Sequence, residues 1–159
     1  YEHDGPVYIR FGRLAVPVVF GEDYKFEIGK GVTLKEGNDI TIIATGLMVA
    51  EALLAYEVLK EKGINARIIN MPTIKPIDRD IIIKAAKETG RIVTVEEHSV
   101  IGGLGSAVCD VVCEECPVPV TKIGVNDEFG YSGPAVDLLK NFGLSSDNIV
   151  DTVLKVLNK

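Results

Sequence analysis

Short apolar runs alternate with amphipathic segments along most of the chain. The first clear run, residues 40–44, is rich in β-branched side chains, which predicts a strand buried on both faces of a sheet. Residues 47–62 then place apolar side chains at helical spacing, and Gly63 suits the end of a helix. The pattern therefore predicts a buried strand followed by a helix that packs against it.

The same alternation continues through the rest of the sequence. Asp78 can accept hydrogen bonds from the free N–H groups at the start of a helix, and Gly90 can end that helix. Pro134 suits the first turn of a short helix. Further strands are expected at residues 66–71, 92–96 and 118–123, and further helices at 78–89, at 104 to about 115, from 134 and from about 147.

This order of elements predicts the fold class. Strands that alternate with helices at such spacing form right-handed crossovers and a mainly parallel sheet, with helices on both faces. We therefore expect an α/β fold, a three-layer α/β/α domain, over residues 24–159. Its first part, residues 24–37, is interrupted by glycines and is expected to form short extended pieces, such as an edge hairpin.

The first 23 residues do not follow the alternation. Residues 7–11 are an apolar-rich run of the kind found in strands, and residues 12–23 have the character of a loop, with Pro17 and Gly21. A strand without a partner nearby in the sequence suggests the end of an earlier domain. We expect residues 1–23 to be the last strand of a preceding domain and a linker.

Composition and charge limit the classes of partner that this chain can bind. Hydrophobic residues make up 47% and charged residues 25% of the 159 residues, the balance of an ordinary globular protein. No apolar run approaches the roughly 20 residues that span a bilayer. The net charge of -6 argues against nucleic acid as a partner. With three cysteines and no secretory features, we expect a cytoplasmic protein that binds neither a membrane nor a nucleic acid.

Three cysteines form a C-x3-C-x2-C pattern, at Cys109, Cys113 and Cys116. The spacing is similar to the cluster-binding motif of radical S-adenosylmethionine enzymes, which place it in a loop early in a long chain. Here the first two cysteines lie one turn apart on a predicted helix among valines, and no fourth ligand for zinc is close in the sequence. We expect packed cysteines and no metal site.

Polar and glycine residues cluster where the third regular strand meets the helix after it. Glu96 and His98 end the strand, and Gly102, Gly103 and Gly105 surround the start of the helix. Ligands of open α/β sheets bind at this edge, and free N–H groups at a helix start bind anions. The glycines do not match G-x-G-x-x-G, and glycines also permit close packing of helix and strand. Two interpretations stay open: a ligand edge, with His98 as acid or base, and a structural turn.

Two arginines, Arg10 and Arg13, lie three residues apart at the end of the first predicted strand. Guanidinium groups bind phosphate oxygens in a bidentate manner. Surface arginines without a ligand are the ordinary case. Spacing alone therefore favours a solvent-exposed pair over a phosphate site.

Five segments, in order and at compatible spacings, resemble the transketolase family. They are similar to the closing strand of its pyrimidine-binding domain, the entry to its C-terminal domain, its T-I-K-P-[LI]-D segment, its V-E-[DE]-H…G-G-[IL]-G element and its closing S-G…L-L-K-x-F-G-[IL] element. In this sequence they read V-Y-I-R-F-G-R at 7–13, F-E-I-G-K-G at 26–31, T-I-K-P-I-D-R at 73–79, T-V-E-E-H at 94–98 with G-G-L-G at 102–105, and S-G at 132–133 with L-L-K-N-F-G-L at 138–144.

The resemblance implies the C-terminal part of an enzyme that moves a two-carbon ketol unit from a ketose phosphate to an aldose phosphate. The family's cofactor is thiamine diphosphate with Mg²⁺ or Ca²⁺. The diphosphate and the cation bind an N-terminal domain, and the aminopyrimidine binds the middle domain of the partner subunit. The glutamate that activates the cofactor lies outside the matched segments. We therefore expect this chain alone to bind no cofactor, to contain no catalytic residue and to be inactive.

The resemblance also implies roles for this chain in the complete enzyme. Arg13 matches the arginine that holds the sugar-phosphate tail in transketolases, and Arg10 matches an arginine of some members. The expected partners are sugar phosphates and the remainder of the transketolase, its N-terminal and pyrimidine domains or a separate subunit, in a homodimer or heterotetramer. A natural C-terminal subunit and a shortened piece of a longer chain both agree with this.

Other classes of protein stay open. 1-Deoxyxylulose-5-phosphate synthase and the β subunit of 2-oxoacid dehydrogenases belong to the same superfamily, although residues 73–79 and the pair Glu97-His98 favour transketolase. The alternatives from other classes are a regulatory domain that binds a nucleotide at residues 102–106 and a dimerisation module without a catalytic role.

Overall fold

A five-stranded sheet forms the centre of the protein in the computed structural model, which describes residues 3–158. The strands are β1 Val32–Lys35, β2 Ile40–Ala44, β3 Ala66–Asn70, β4 Ile92–Ser99 and β5 Val120–Val125. Their order across the sheet is β1-β3-β2-β4-β5. β1 is antiparallel to β3 at one edge, and the other neighbouring pairs are parallel.

Helices connect and cover these strands. They are α1 Met48–Glu61, α2 Arg79–Thr89, α3 Leu104–Glu115, α4 Ala135–Asn141 and α5 Ser146–Leu157. The strands and helices predicted from residue 40 onward are all present, with bounds that shift by at most three residues. Within residues 3–158, no helix is long and apolar enough to cross a membrane.

Two apolar clusters lie on opposite faces of the sheet. Ile42 belongs to the cluster that α1 and α5 cover, and its neighbour Ile43 belongs to the cluster that α2 and α3 cover. Successive strand residues point to opposite faces, so the β-branched run of β2 supplies both clusters. The prediction of a three-layer α/β/α fold with a mainly parallel sheet is confirmed.

The start of α2 shows how local sequence signals fix a helix. Oδ1 of Asp78 accepts a hydrogen bond from the N–H of Ile81 at 3.2 Å, and Gly90 ends the helix with a φ of 69°. Oδ2 of Asp78 also accepts from the N–H of Gly31 at 2.9 Å, which ties the segment before β1 to α2. The predicted cap at Asp78 is confirmed, whereas Pro134 precedes α4 instead of opening it.

The prediction of an edge hairpin in residues 24–37 is wrong. This segment contains one strand, β1, which pairs with β3. The N–H of Gly29 donates to Oγ1 of Thr73 at 2.9 Å, so the residues before β1 bind the loop after β3. Gly37 lies against the main chain of Ala66 so closely that a side chain there would collide. Contacts with β3 and its loop therefore take the place of a hairpin partner.

Residues 7–11 form no strand in the described part of the chain. Tyr8 and Phe11 are 88% and 86% exposed. A strand needs a second backbone to pair with its N–H and C=O groups, and none runs alongside this segment in residues 3–158. The strand predicted there is absent, and the assignment of residues 1–23 to a preceding domain stays a prediction. Residues 1, 2 and 159 lie outside the described residues.

Candidate functional site

The carboxyl ends of the parallel strands form one edge of the sheet, where the predicted ligand edge lies. β4 continues to Ser99, three residues further than predicted, with a shift of its register against β5 between Val95 and Ser99. The strand therefore brings Glu96 and His98 up to the turn that opens α3.

The carboxylate of Glu96 binds the start of α3. The side chain is 2% exposed. Its Oε2 accepts a hydrogen bond from the N–H of Leu104 at 2.7 Å, and its Oε1 accepts from the N–H of Gly105 at 2.8 Å. A negative charge at this position also interacts favourably with the positive end of the helix dipole. An internal carboxylate thus holds the N–H groups that a nucleotide phosphate would need.

Two glycines of the predicted ligand edge permit this close approach. A Cβ atom on Gly103 would collide with the carboxylate of Glu96. A Cβ atom on Gly105 would lie 2.8 Å from Oγ1 of Thr94 and from Cδ of Lys122. Both positions therefore require the absence of a side chain for packing of α3 against β4 and β5.

His98 lies at the surface, beside the carboxylate of Glu96 that caps the start of α3. Its side chain is half exposed, and its Nδ1 is 2.9 Å from the carbonyl oxygen of Ser99. A carbonyl oxygen can only accept, so this contact assigns the proton of the neutral imidazole to Nδ1. The same Nδ1 lies 3.8 Å from Oε2 of Glu96. The neutral ring therefore keeps Nε2 as its acceptor.

Lys122 on β5 fixes the far side of the turn. Its Nζ donates to the carbonyl oxygen of Val100 at 3.2 Å and to Oγ of Ser106 at 3.3 Å. The same Oγ accepts from the N–H of Gly102 at 2.9 Å, and Gly102 has a φ of 78°. The glycine-rich turn is therefore bound by side chains of this chain on both sides.

The structure separates the two arginines. Nη1 of Arg10 donates to the carbonyl oxygen of Glu97 at 2.8 Å, so this guanidinium lies at the end of β4. Arg13 is exposed and makes neither a hydrogen bond nor an ion pair with another described residue. Arg10, and not Arg13, is brought to the edge of the sheet.

The cysteines lie along α3 and just beyond its last residue. Cys109 and Cys113 are on the helix, Cys116 follows it, and all three are free thiols. Burial raises the pKa of the Cys109 thiol, an effect that the positive charge of Lys122 partly offsets. In residues 3–158, no group of three His, Cys, Asp or Glu side chains could hold a metal ion.

Sequence reasoning noticed Glu96 but did not find its role. Gly103 precedes α3 and has no side chain that could cap the helix. A helix start without Ser, Thr, Asp or Asn needs its N–H partners from elsewhere. A carboxylate at the end of the preceding buried strand, eight residues before Leu104, was the available signal. No comparable signal in the sequence indicated Lys122.

The family follows from comparison with known proteins. The family described as "Transketolase, C-terminal domain" matches residues 29–149 of this chain. The matched range starts before β1 and ends in α5, so it includes all five strands.

Several curated relatives carry transketolase names. The chain is 46% identical over 157 residues to the 6-deoxy-6-sulfo-D-fructose transketolase subunit of Clostridium sp. (strain MSTE9), with 99% of this chain and 49% of that protein covered. It is 48% identical over 161 residues to the putative transketolase C-terminal section of Methanocaldococcus jannaschii, with 99% and 50% covered. A 1-deoxy-D-xylulose-5-phosphate synthase of Heliobacterium modesticaldum is 40% identical over 151 residues, which are 23% of that protein. The chain spans about half the length of these transketolase relatives.

A solved structure shares both the sequence and the fold. The structure titled "Split gene transketolase, inactive beta4 tetramer" is 52% identical and superposes with a TM-score of 0.86, covering 90% of this chain and 47% of that chain. The resemblance noted from five sequence segments is thereby confirmed. From its matched range and its fold, the chain belongs to the transketolase C-terminal domain family.

Proposed function

We propose that this chain is the C-terminal section of a thiamine-diphosphate-dependent transketolase and acts only together with the remainder of that enzyme. The extent of the match supports this most, because 99% of the chain aligns with about half of proteins named as transketolase subunits or sections. That alignment includes residues before 29, where the match to the C-terminal domain begins. Both the domain and the segment before it agree with one half of a two-part enzyme.

The proposed reaction is transfer of a two-carbon ketol unit from a ketose phosphate to an aldose phosphate. The chemistry of the ketol carbanion belongs to thiamine diphosphate. In residues 3–158, no group of three His, Cys, Asp or Glu side chains could hold the Mg²⁺ or Ca²⁺. We assign cofactor binding to the remainder of the enzyme, and substrate binding and assembly to this chain.

The segment before the domain offers a surface for the remainder of the enzyme. Tyr8, Phe11 and Val18 are 88%, 86% and 92% exposed. Several large apolar side chains exposed in one short segment mark a surface that another protein surface covers. We assign that cover to the upstream half of the transketolase, as domains of the same chain or as a separate subunit. The similar structure is titled as a tetramer of a split-gene transketolase, which supports association with further subunits. For the complete enzyme we propose a homodimer or a heterotetramer.

Reconstitution tests the proposal. This chain is mixed with the remainder of the enzyme, thiamine diphosphate and Mg²⁺, and ketol transfer between sugar phosphates is followed. We expect a complex in sedimentation and turnover by the mixture, with no turnover by either part alone. A complex without turnover across a panel of ketose and aldose phosphates would contradict the proposed activity, and the absence of a complex would contradict the proposed assembly.

Arg13 is the proposed contact of this chain with the phosphate of the substrate. Its side chain is exposed and unpaired among the described residues, which leaves its guanidinium available to a ligand. Loss of a charge-assisted hydrogen bond is worth about tenfold or more in binding. The phosphate does not react, so Arg13→Ala is expected to raise KM about tenfold and to change kcat little.

The controls for Arg13 separate its charge from general effects. Arg79→Ala removes another exposed guanidinium, one that pairs with Glu114 and Glu115 at the end of α3, and it should leave KM unchanged. For an acceptor aldehyde without a phosphate group, the Arg13→Ala variant and the parent enzyme should have the same KM. An unchanged KM for phosphorylated substrates would refute the assignment.

A further inference from the structure

A cavity at the carboxyl edge of the sheet has polar groups that nothing in the described chain satisfies. This cavity, called here the α1 cavity, has a volume of about 290 Å³ and lies where β2 and β3 end. Its polar wall consists of Arg10, Thr45, the start of α1 from Gly46, and Asn70. Residues 16–20 cover its apolar side.

The position of the cavity is one where open α/β sheets bind ligands. β2 pairs with β3 on one side and with β4 on the other. The connections that follow β2 and β4 leave toward opposite halves of the sheet, which opens a crevice beyond the end of β2. The α1 cavity lies beside this crevice, at the ends of β2 and β3 and on the face that α1 covers.

The start of α1 has free N–H groups. The N–H groups of Leu47 and Met48 donate to no described residue, and no side chain caps the helix. By contrast, Glu96 binds the start of α3 and Asp78 binds the start of α2. The one acidic residue in the first turn of α1, Glu51, accepts from the N–H of Ser146 at 2.7 Å. The positive end of this helix is therefore not neutralised from within the described chain.

Asn70 gives the independent sign of a ligand. The residue is 7% exposed and lines the cavity, and its amide makes no hydrogen bond with any residue in 3–158. It lies on the same face of β3 as Ile68, which packs in the cluster beneath α1. The amide is not among the fully enclosed atoms of the described chain that lack a hydrogen bond, which are Nε of Arg67 and Oγ1 of Thr94. It therefore opens onto the cavity, where a ligand can reach it.

Arg10 completes the wall with a positive charge. One of its five N–H donors binds the carbonyl oxygen of Glu97, the others bind no described residue, and the side chain lines both this cavity and a second one beside Glu97. No Asp or Glu side chain is among the described residues that line the cavity. The wall thus combines a guanidinium, a helix start and an amide, with no negative charge to oppose an anion.

We propose that the α1 cavity binds a phosphate group, either as free phosphate or as part of a small phosphate ester. Its oxygens accept from the N–H groups of Leu47 and Met48, from Arg10 and from the amide of Asn70. This site is separate from the substrate contact assigned to Arg13. A bound phosphate would connect the segment before the domain, through Arg10, to the end of β3, through Asn70.

Calorimetry on the 159-residue chain tests the site, since binding requires no turnover. Sodium phosphate and glycerol 3-phosphate are titrated separately at an ionic strength held constant with sodium chloride. We expect saturable binding of at least one, and the tighter of the two identifies the source of the phosphate group. NMR of the labelled chain should show shifts of the Leu47 and Met48 amides and of the Asn70 side chain.

Variants locate the binding. Arg10→Ala, at an exposed position, should weaken binding at least about tenfold, and Asn70→Leu should weaken it as well, with folding checked by circular dichroism. Arg79→Ala removes an equivalent charge elsewhere and should bind as the parent does. No saturable binding up to about 10 mM, equal binding by Arg10→Ala, or NMR shifts confined to residues 102–106 would each overturn the proposal. None of these outcomes bears on the reconstituted activity, so the two proposals fail separately.

Discussion

Replacement of Glu96 by alanine is expected to lower the free energy of unfolding by about 3 kcal/mol. The side chain is 2% exposed and accepts from the N–H groups of Leu104 and Gly105. Alanine leaves both donors without a partner in a place that water does not reach, and it removes the negative charge from the start of α3. Urea denaturation followed by circular dichroism, at one fixed protein concentration, measures the change.

Two variants of the same strand serve as controls for Glu96→Ala. Glu97→Ala removes a neighbouring carboxylate that accepts no hydrogen bond in the described chain, and its effect should stay within about 0.5 kcal/mol. Glu96→Gln keeps one acceptor oxygen and should lose less stability than Glu96→Ala. Equal losses for Glu96→Ala and Glu97→Ala would show that the cap does not stabilise the domain.

Gly103→Ala is expected to destabilise the domain by about 2 kcal/mol through the same carboxylate. The added Cβ would collide with Oε2 of Glu96 and would lie 2.8 Å from Nδ1 of His98. The carboxylate can move away only by giving up its hydrogen bonds to the start of α3. Denaturation under the conditions used for Glu96 measures the loss.

A double-mutant cycle distinguishes this collision from a general effect of alanine. In the Glu96→Ala background the colliding carboxylate is gone and only the half-exposed side chain of His98 has to move, so Gly103→Ala should cost much less there than in the parent. Gly130 has nothing within 4 Å of an added Cβ, and Gly130→Ala should change stability by no more than about 0.5 kcal/mol. Additive effects of the two substitutions would contradict the geometry described for the cap.

The central strands and the helices could be predicted because their signals are local. The run of residues 40–44 is buried on both faces, and its β-branched side chains enter both apolar clusters. Asp78 and Gly90 bound α2 through groups of their own side chain or backbone. For such elements the sequence contains the partners within a few residues, so the pattern is sufficient.

The role of the glycine-rich turn could not be predicted from its residues. Glycines before a helix accommodate an external anion or a nearby side chain equally well. The choice depends on how far β4 extends, because only a strand that continues to Ser99 brings Glu96 to the start of α3. That extension includes the register shift against β5, which arises from tertiary contacts.

The missing strand at residues 7–11 of the described chain and the missing hairpin at residues 24–37 have one physical cause. Strand propensity describes a side chain that suits a pleated, half-buried surface, but a strand exists only where another backbone pairs with it. Residues 32–35 pair with β3, whereas no backbone in the described chain pairs with residues 7–11. The α1 cavity was beyond prediction for a related reason, since Arg10, Leu47 and Asn70 are far apart in the sequence.

The carboxylate of Glu96 also changes what the connection between β4 and α3 must do. Because Glu96 on β4 binds the first N–H groups of α3 directly, the residues between β4 and α3 do not determine where the helix begins. Ile101, within that connection, is 63% exposed. The side chain at position 101 can therefore change without displacing the helix, whereas Gly102 and Gly103 are required by the turn and by the carboxylate of Glu96.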